Sequence, residues 1–598
     1  MQISEEDAAF ILGKGGRTKM KLSRVSGCVI ELVEGELRLE FQGTQQQKRH
    51  ARKFCRCVMA QRTGPVYVDA NDVADDCTVL AVPQEAVGFV TGRGGNFLRT
   101  LEDEHNVIMF FADIEGVPKS DDHENLVVFG QRRGRRSAQL SAMSVVETKL
   151  PGHYTRTWRE TGEVFDTEVD ASNDWDTFTM ELSEDEVSYA LGRRGMTRKK
   201  LARASGCIVQ YVNRVAFLSG TSEERTRAQE YIKWLFRQLE GPVYVDTDNR
   251  SDSTTVNVPQ DCIGYVTGQH RQTLSEIEDT YGTLMFFVEK RDDNQDAPEK
   301  LAIFGPERAR RGAELTVMSS VEKKSPGFFT DGIRDRKAST KGFDTDLMLI
   351  PDDSCLSYAL GRDGSTRKKI ATASNAVLQF VGNFAYIAGN LQERKRGRDY
   401  LCWLLEQRDG KVSVDGSNRD DVSEVEVPEG FAGRLMGNHG SELRRIEQET
   451  GTFCFLAHSV HGPDRLLICG HEQGAAYSDR GRTKAERLAK YLLQDANGTR
   501  HFTRASSRSR SPKRRFWAKS WDEQWQTKGR DERWQARVKD ERWQTRAGDE
   551  RWQARAGDER WHARAGNERW HERAGDERWQ SRAGGDERWQ ARAGGDER

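Results

Sequence analysis

Polarity alternates residue by residue over Thr177-Phe178-Thr179-Met180-Glu181-Leu182, which predicts a half-buried strand. Ser183-x-x-Glu186 then reads as a capping box, and Val187, Ala190 and Leu191 share the face of the helix it opens. A basic stretch without an acid follows, Gly192 to Arg203, which predicts a turn and a short helix ending near Ser205. Cys207 to Val212 and Val215 to Leu218 predict two more strands. A long helix closes the segment, with Ile232, Leu235, Phe236 and Leu239 spaced as its core-facing stripe. The order over 176–240 is β-α-loop-α-β-β-α.

The pattern recurs. Loop glycines Gly13, Gly192 and Gly361 lie 179 and 169 positions apart, and a second series, Gly92, Gly268 and Gly437, lies 176 and 169 apart. Two interleaved series with nearly one period mean a long repeat of two related halves. Three such pairs fill the chain to about residue 495. The second halves each open on a strand ending in Val-Pro (Val82-Pro83, Val258-Pro259, Val427-Pro428). They carry long polar loops, such as Glu115 to Asn125 and Lys290 to Lys300, and follow a Val-x-Val-Asp segment, as at Val66 to Asp69 and Val243 to Asp246. The connection Thr247 to Asp252 is short, so each odd–even pair is expected to form one unit with restricted hinge freedom. Longer polar connections, 151–176 and 326–344, are expected to separate the pairs.

The loops supply the candidate chemistry. Glycines three apart let the backbone turn sharply and approach a ligand. The turn feeds a helix start, where open N–H groups and the dipole attract phosphate, and adjacent Lys and Arg add charge-assisted contacts. The candidate nucleic-acid-binding residues are Gly13, Lys14, Gly15, Gly16 and Arg17; Gly92, Arg93, Gly94 and Gly95; Gly192, Arg193, Arg194, Gly195, Arg198, Lys199 and Lys200; Gly361, Arg362, Gly364, Arg367 and Lys368; and Gly437, Asn438 and Gly440. The helices after the even loops carry acids instead: Glu102, Asp103 and Glu104; Glu276, Glu278 and Asp279; Glu442, Glu447 and Glu449. The odd halves are therefore expected to hold most of the affinity for a polyanion.

With Gly-x-x-Gly between its first two helices, this order resembles the eukaryotic-type (type I) K-homology, or KH, domain of poly(C)-binding proteins and vigilin. The resemblance covers 1–63, 76–148, 176–240, 252–323, 345–408 and 422–494. It implies an α+β class of tandem type I KH domains, each a three-stranded antiparallel sheet packed on three helices, six copies in three pairs. Phe10-Ile11-Leu12-Gly13-Lys14-Gly15-Gly16 is close to the family's Ile-Gly-x-x-Gly signature. Two segments depart from it. Only Met1 to Ile3 remain for the first opening strand, and Gly268-Gln269-His270-Arg271 lacks the closing glycine, which puts nucleic-acid contact by the fourth segment in doubt. The resemblance further implies about four nucleotides of single strand per domain, over a groove floored by apolar side chains of the first two helices and second strand.

Composition narrows the alternatives. The 598 residues are 36% hydrophobic and 31% charged with a net charge of −1, so attraction to nucleic acid must come from local clusters. No run of about 18 apolar residues suggests a membrane helix, and Met1 to Glu6 does not read as a signal peptide. The ten cysteines are scattered, as for reduced core thiols. No P-loop, metal cluster or Ser/His/Asp set stands out, so no enzyme, metal or cofactor is expected. Residues 500–598 read as a disordered tail: an Arg/Ser tract at 506–515, then Asp-Glu-Arg-Trp-Gln-x-Arg-Ala-Gly units that cannot build a core. Their Trp and Arg are suited to weak multivalent stacking. The expectation is a single-stranded RNA-binding protein of mRNA processing or post-transcriptional regulation, in nucleus and/or cytoplasm. Single-stranded DNA binding, or a scaffold of KH folds whose even domains and tail bind proteins or each other, are the alternatives.

Overall fold

The computed structural model describes residues 1–69, 76–161, 174–288, 298–458, 463–471 and 481–494, apart from 242, 248, 411, 415, 417 and 418. The Arg/Ser tract, the Trp repeats and most of the loop from Lys290 lie outside the described residues. Six modules, I to VI, follow one element order.

Module I has α1 (Glu5–Leu12), α2 (Arg17–Ser26), β1 (Val29–Val33), β2 (Arg38–Gln42) and α3 (Gln45–Thr63). Its opening strand is reduced to a single bridge, Gln2 to Arg38, beside a two-stranded sheet. Module II follows β3 (Tyr67–Asp69), with β4 (Cys77–Pro83), α4 (Gln84–Thr91), α5 (Asn96–His105), β5 (Ile108–Phe111), β6 (Asp113–Glu115), β7 (His123–Phe129) and α6 (Arg132–Lys149). The connection after it carries α7 (Thr155–Thr161). Module III has β8 (Asp176–Glu181), α8 (Glu184–Leu191), α9 (Met196–Ser205), β9 (Ile208–Val212), β10 (Val215–Gly220) and α10 (Ser222–Glu240). Module IV has β11 (Ser253–Val258), α11 (Gln260–Thr267), α12 (Gln272–Tyr281), β12 (Leu284–Phe287), β13 (Glu299–Phe304) and α13 (Glu307–Lys324). Module V has β14 (Asp344–Leu349), α14 (Asp353–Leu360), α15 (Ser365–Ser374), β15 (Val377–Val381), β16 (Phe384–Gly389) and α16 (Leu391–Asp409). Module VI has β17 (Val422–Val427), α17 (Ala432–Met436), α18 (Ser441–Thr450), β18 (Phe453–Ala457), β19 (Asp464–Cys469) and α19 (Gly481–Gln494).

Modules II to VI each hold a three-stranded antiparallel sheet with the last strand in the centre, as in β8-β10-β9, where Phe217 stands between Thr179 and Gln210. The expected capping box forms: Ser183 Oγ accepts from Glu186 N at 3.3 Å, and Glu186 Oε2 accepts from Ser183 N at 2.7 Å. Of the Val-x-Val-Asp segments at Val66 and Val243, the first supplies β3, paired parallel with β6. The second forms no strand, although Val243 and Val245 are buried.

In modules III to V the closing helix is buried on two faces. Ile232 and Leu235 of α10 face the module's own sheet, as expected. Leu239 does not belong to the core; it is 52% exposed. Tyr231 and Trp234 carry the second face into module IV, where they pack on Phe286 and Phe304. Helix α16 repeats this with Tyr400 and Trp403 on Phe453 and Phe455. Each junction is locked by the same polar set. The Tyr231 hydroxyl donates to Asp252 (2.9 Å), Arg250 bridges Asp252 and Glu230, and its guanidinium lies 4.9 Å from the Trp234 ring. Tyr400, Asp421, Arg419, Asp399 and Trp403 repeat the arrangement.

The expected separation between pairs fails at IV and V. Helix α13 packs its Leu315 with Val381, Phe384 and Tyr386 of the module V sheet, and Arg308 pairs with Glu393 at 2.5 Å. Each closing helix here covers the sheet of the module after it, so modules III to VI share continuous cores. Loss of a sheet's second face to water would otherwise leave these apolar strands exposed.

Candidate nucleic-acid interface

All six loops adopt one backbone path. The first glycine has φ between 65° and 73° with an extended ψ, and the fourth residue is left-handed before the helix begins. The third residue is also left-handed at Gly15, Gly94, Arg194, His270 and Asp363. The two framing positions do different work. A Cβ on Gly192 would meet Thr197 Oγ1 at 2.1 Å, and Gly13, Gly268 and Gly361 face the same obstacle in Thr18, Thr273 and Thr366. A Cβ on Gly16 would meet nothing within 4 Å. The first glycine is thus required by packing, and the last by its φ alone.

This explains module IV. Arg271 takes the closing position at φ 63°, so the loop path survives the lost glycine. What changes is the groove. The Arg271 guanidinium forks onto the buried Glu278 (2.8 and 3.0 Å) and donates to Met285 O of β12.

The candidate cations divide by position. Lys14, Arg93, Arg193, Arg194 and Arg362, in the middle of the loops, are exposed, as are Arg17, Lys199, Lys368 and Asn438. Arg198 and Arg367 cross their own grooves to donate to Val209 O (3.0 Å) and Leu378 O (2.8 Å) of the second strand. Lys200 is a correction: its side chain is 14% exposed and its ammonium pairs with Glu278 of module IV at 2.8 Å, so it does not face an outside ligand. Lys369 pairs in the same way with Glu447 of module VI, at 3.0 Å.

The acids of the even helices are also not one negative field. Glu102, Glu278 and Glu447 are buried, each accepting from the second strand's backbone N–H at Met109, Met285 and Cys454 (2.8–2.9 Å). In module I Ser23 Oγ takes the corresponding bond, from Ile30 N. Burial raises the Glu447 carboxyl above its ordinary range, and Lys369 pulls it part of the way back.

An aromatic residue stands three positions before the first glycine in five modules: Phe10, Phe89, Tyr189, Tyr265 and Tyr358. Phe10, Tyr265 and Tyr358 are exposed. Burial pushes the Tyr189 hydroxyl up, with the Arg271 charge opposing, which sets module III's Tyr189 near the module IV groove. The sequence reading missed these rings. Their fixed offset from the glycines was the available signal, and an exposed aromatic ring offers a face on which a base can stack.

The KH domain family model matches residues 77–141, 253–319 and 422–477, the cores of modules II, IV and VI. These are the even modules, whereas the loop motif had stood out in the odd ones. Human far upstream element-binding protein 2 is 26% identical over 314 residues, covering 46% of this chain and 44% of its own length. The chain thus spans less than half the length of that relative. The Caenorhabditis elegans KH domain-containing protein hrpk-2 is 28% identical over 125 residues, 20% of this chain and 14% of its own. Among solved structures, Dim2p from Pyrococcus horikoshii OT3 aligns with 20% identity and a TM-score of 0.16, over 26% of this chain and 91% of that one. Three segments of this chain, built on one element order and one loop path, thus match the KH domain family.

Proposed function

We propose that all six modules are KH domains and that the chain binds single-stranded nucleic acid without catalysing a reaction. RNA is the ligand in this reading, and mRNA processing or post-transcriptional regulation in nucleus and/or cytoplasm is the setting. The observation that carries it is the shared loop: one strained backbone path entering a helix start in all six modules, with exposed cations at the tip in modules I, II, III and V and an aromatic ring one helical turn before it in five. Similarity to the far upstream element-binding proteins supports the ligand class. The odd modules carry most of the affinity in this reading, because their loop tips and following helices are basic.

Two matched variants of the full chain test it. Arg193→Asp with Arg194→Asp puts negative charge at an exposed tip of module III, and Gln269→Asp with His270→Asp does so in module IV. The first is expected to lose most retention of single-stranded RNA and to flatten its salt dependence, and the second to change little. Equal losses would refute the odd–even division. No loss from either would favour the scaffold reading, which the closing helices, already packed on neighbouring sheets, make the runner-up.

A further inference from the structure

Modules V and VI enclose a cleft of about 920 Å³, at the upper end of the range of roughly 300–1,000 Å³ typical of ligand sites. One wall is the loop and α18 of module VI, with Gly440, Leu443 and Arg444; the floor is β18, with Cys454 and Leu456. The opposite wall belongs to module V: Tyr358 of α14, Arg362 of its loop, and Ser365, Lys368 and Thr372 on the outer face of α15. That face is the one turned away from module V's own groove, into which Arg367 reaches.

The lining has the chemistry of a nucleotide site. Leu443 and Leu456 are half-buried apolar surface, Met436 and the Tyr358 ring stand exposed at the edge, and Arg362, Lys368 and Arg444 give the rim exposed cations. The acids present are held. Glu447 binds Lys369, Asp464 accepts from His458 Nδ1 at 2.8 Å, and Asp363 stands 3.8 Å from Arg362 at the exposed loop tip.

Modules III and IV show what can fill such a space. Their counterpart of Gly440 is Arg271, whose planar guanidinium lies across the groove between Glu278 and the β12 carbonyl of Met285, near Tyr189, the counterpart of Tyr358. In module VI the glycine leaves the corresponding place open.

We propose that the V–VI cleft is a two-module site for single-stranded nucleic acid, in which module V's outer helix face supplies the second wall, and that Arg271 closes the matching IV groove to the same ligand. The proposal rests on the nucleic-acid reading above. Rim cations hold the phosphates while a base enters over Leu456, so modules V and VI act on one strand together.

The test uses the full chain, photo-crosslinked to a random-sequence single-stranded RNA 20-mer containing 4-thiouridine, with crosslinked peptides read by mass spectrometry. Crosslinks are expected on peptides containing Tyr358 and Leu456. Lys368→Glu should lower the yield at Leu456 roughly tenfold. Gly440→Arg, which installs the module IV residue in module VI, should abolish it, and Arg271→Gly should create new crosslinks at Phe287, the half-buried counterpart of Leu456. Hydrogen exchange of β18 and β12 confirms that each variant is folded. Crosslinks at Leu456 that ignore Lys368→Glu would overturn the two-module wall, and no gain from Arg271→Gly would overturn the closure. A silent cleft beside crosslinked loops elsewhere would overturn the site while leaving the general function standing. Absence of crosslinks anywhere would overturn both.

Discussion

Removing one ammonium from each of the two paired junctions should have unequal effects. Glu447 of module VI is 4% exposed and takes bonds from Lys369 Nζ (3.0 Å to Oε1, 3.1 Å to Oε2) and Cys454 N (2.9 Å), with the Arg444 charge farther off. Glu278 of module IV has Lys200 Nζ at 2.8 Å, the Arg271 fork and Met285 N. Lys369→Met therefore strands a buried carboxylate, a loss of about 3–5 kcal/mol. Lys200→Met leaves a bidentate partner in place and costs only the charged hydrogen bond, about 1.5–3 kcal/mol. At 1.36 kcal/mol per factor of ten, amide exchange should rise by roughly two to four orders of magnitude at 452–457 in the first variant. The rise at 283–287 in the second should be roughly one to two. The pH dependence has a definite sign. The Glu447 folded pKa is raised above the ordinary 4.5 by burial, so its contribution to stability is complete below that value and is lost as pH rises through the folded pKa. Lys369→Met raises that pKa further, so the variant's deficit should be largest near neutrality and shrink toward pH 5. Exchange at pH 7 and pH 5, corrected for intrinsic chemistry, measures this. Equal losses at the two junctions, or a deficit that grows on acidification, would refute the reasoning.

Two further substitutions probe the core and the loop. Leu235 is 7% exposed within the core shared by modules III and IV, so Leu235→Ala should cost about 2–5 kcal/mol and speed exchange in both β10 and β12; an effect confined to module III would contradict the shared core. Gly195→Ala adds only left-handed strain, about 1–2 kcal/mol, whereas Gly192→Ala adds the collision with Thr197 Oγ1. Chemical denaturation followed by exchange at 193–205 should rank Gly192→Ala clearly worse, and the reverse order would assign the two glycines the wrong roles.

What could be read from the sequence was local. The capping box at Ser183 and Glu186, the loop, the strand alternation and the Ile232/Leu235 stripe each depend on residues within a few positions of one another. The long-range consequences were hidden for identifiable reasons. Tyr231 and Trp234 form a second stripe beside the first, and a stripe says that a face is buried without saying by which module. Leu239 keeps the period but runs past the sheet into solvent. Lys200 looked like one more loop cation, because its partner Glu278 stands 78 residues away, where it looked like one more surface acid.

Arg271 is the sharpest instance. The sequence shows a missing glycine and invites the inference of a broken loop. The structure keeps the loop, since the position that packing forbids to a side chain is the first glycine and not the last. The proposed loss of binding in module IV then comes from a guanidinium seated in the groove. The family model likewise matches modules II, IV and VI although the basic signature stood out in I, III and V. Charge at the loop tip and apolar pattern through the module answer to different demands, ligand and fold. Module IV can satisfy the second in full while giving up the first.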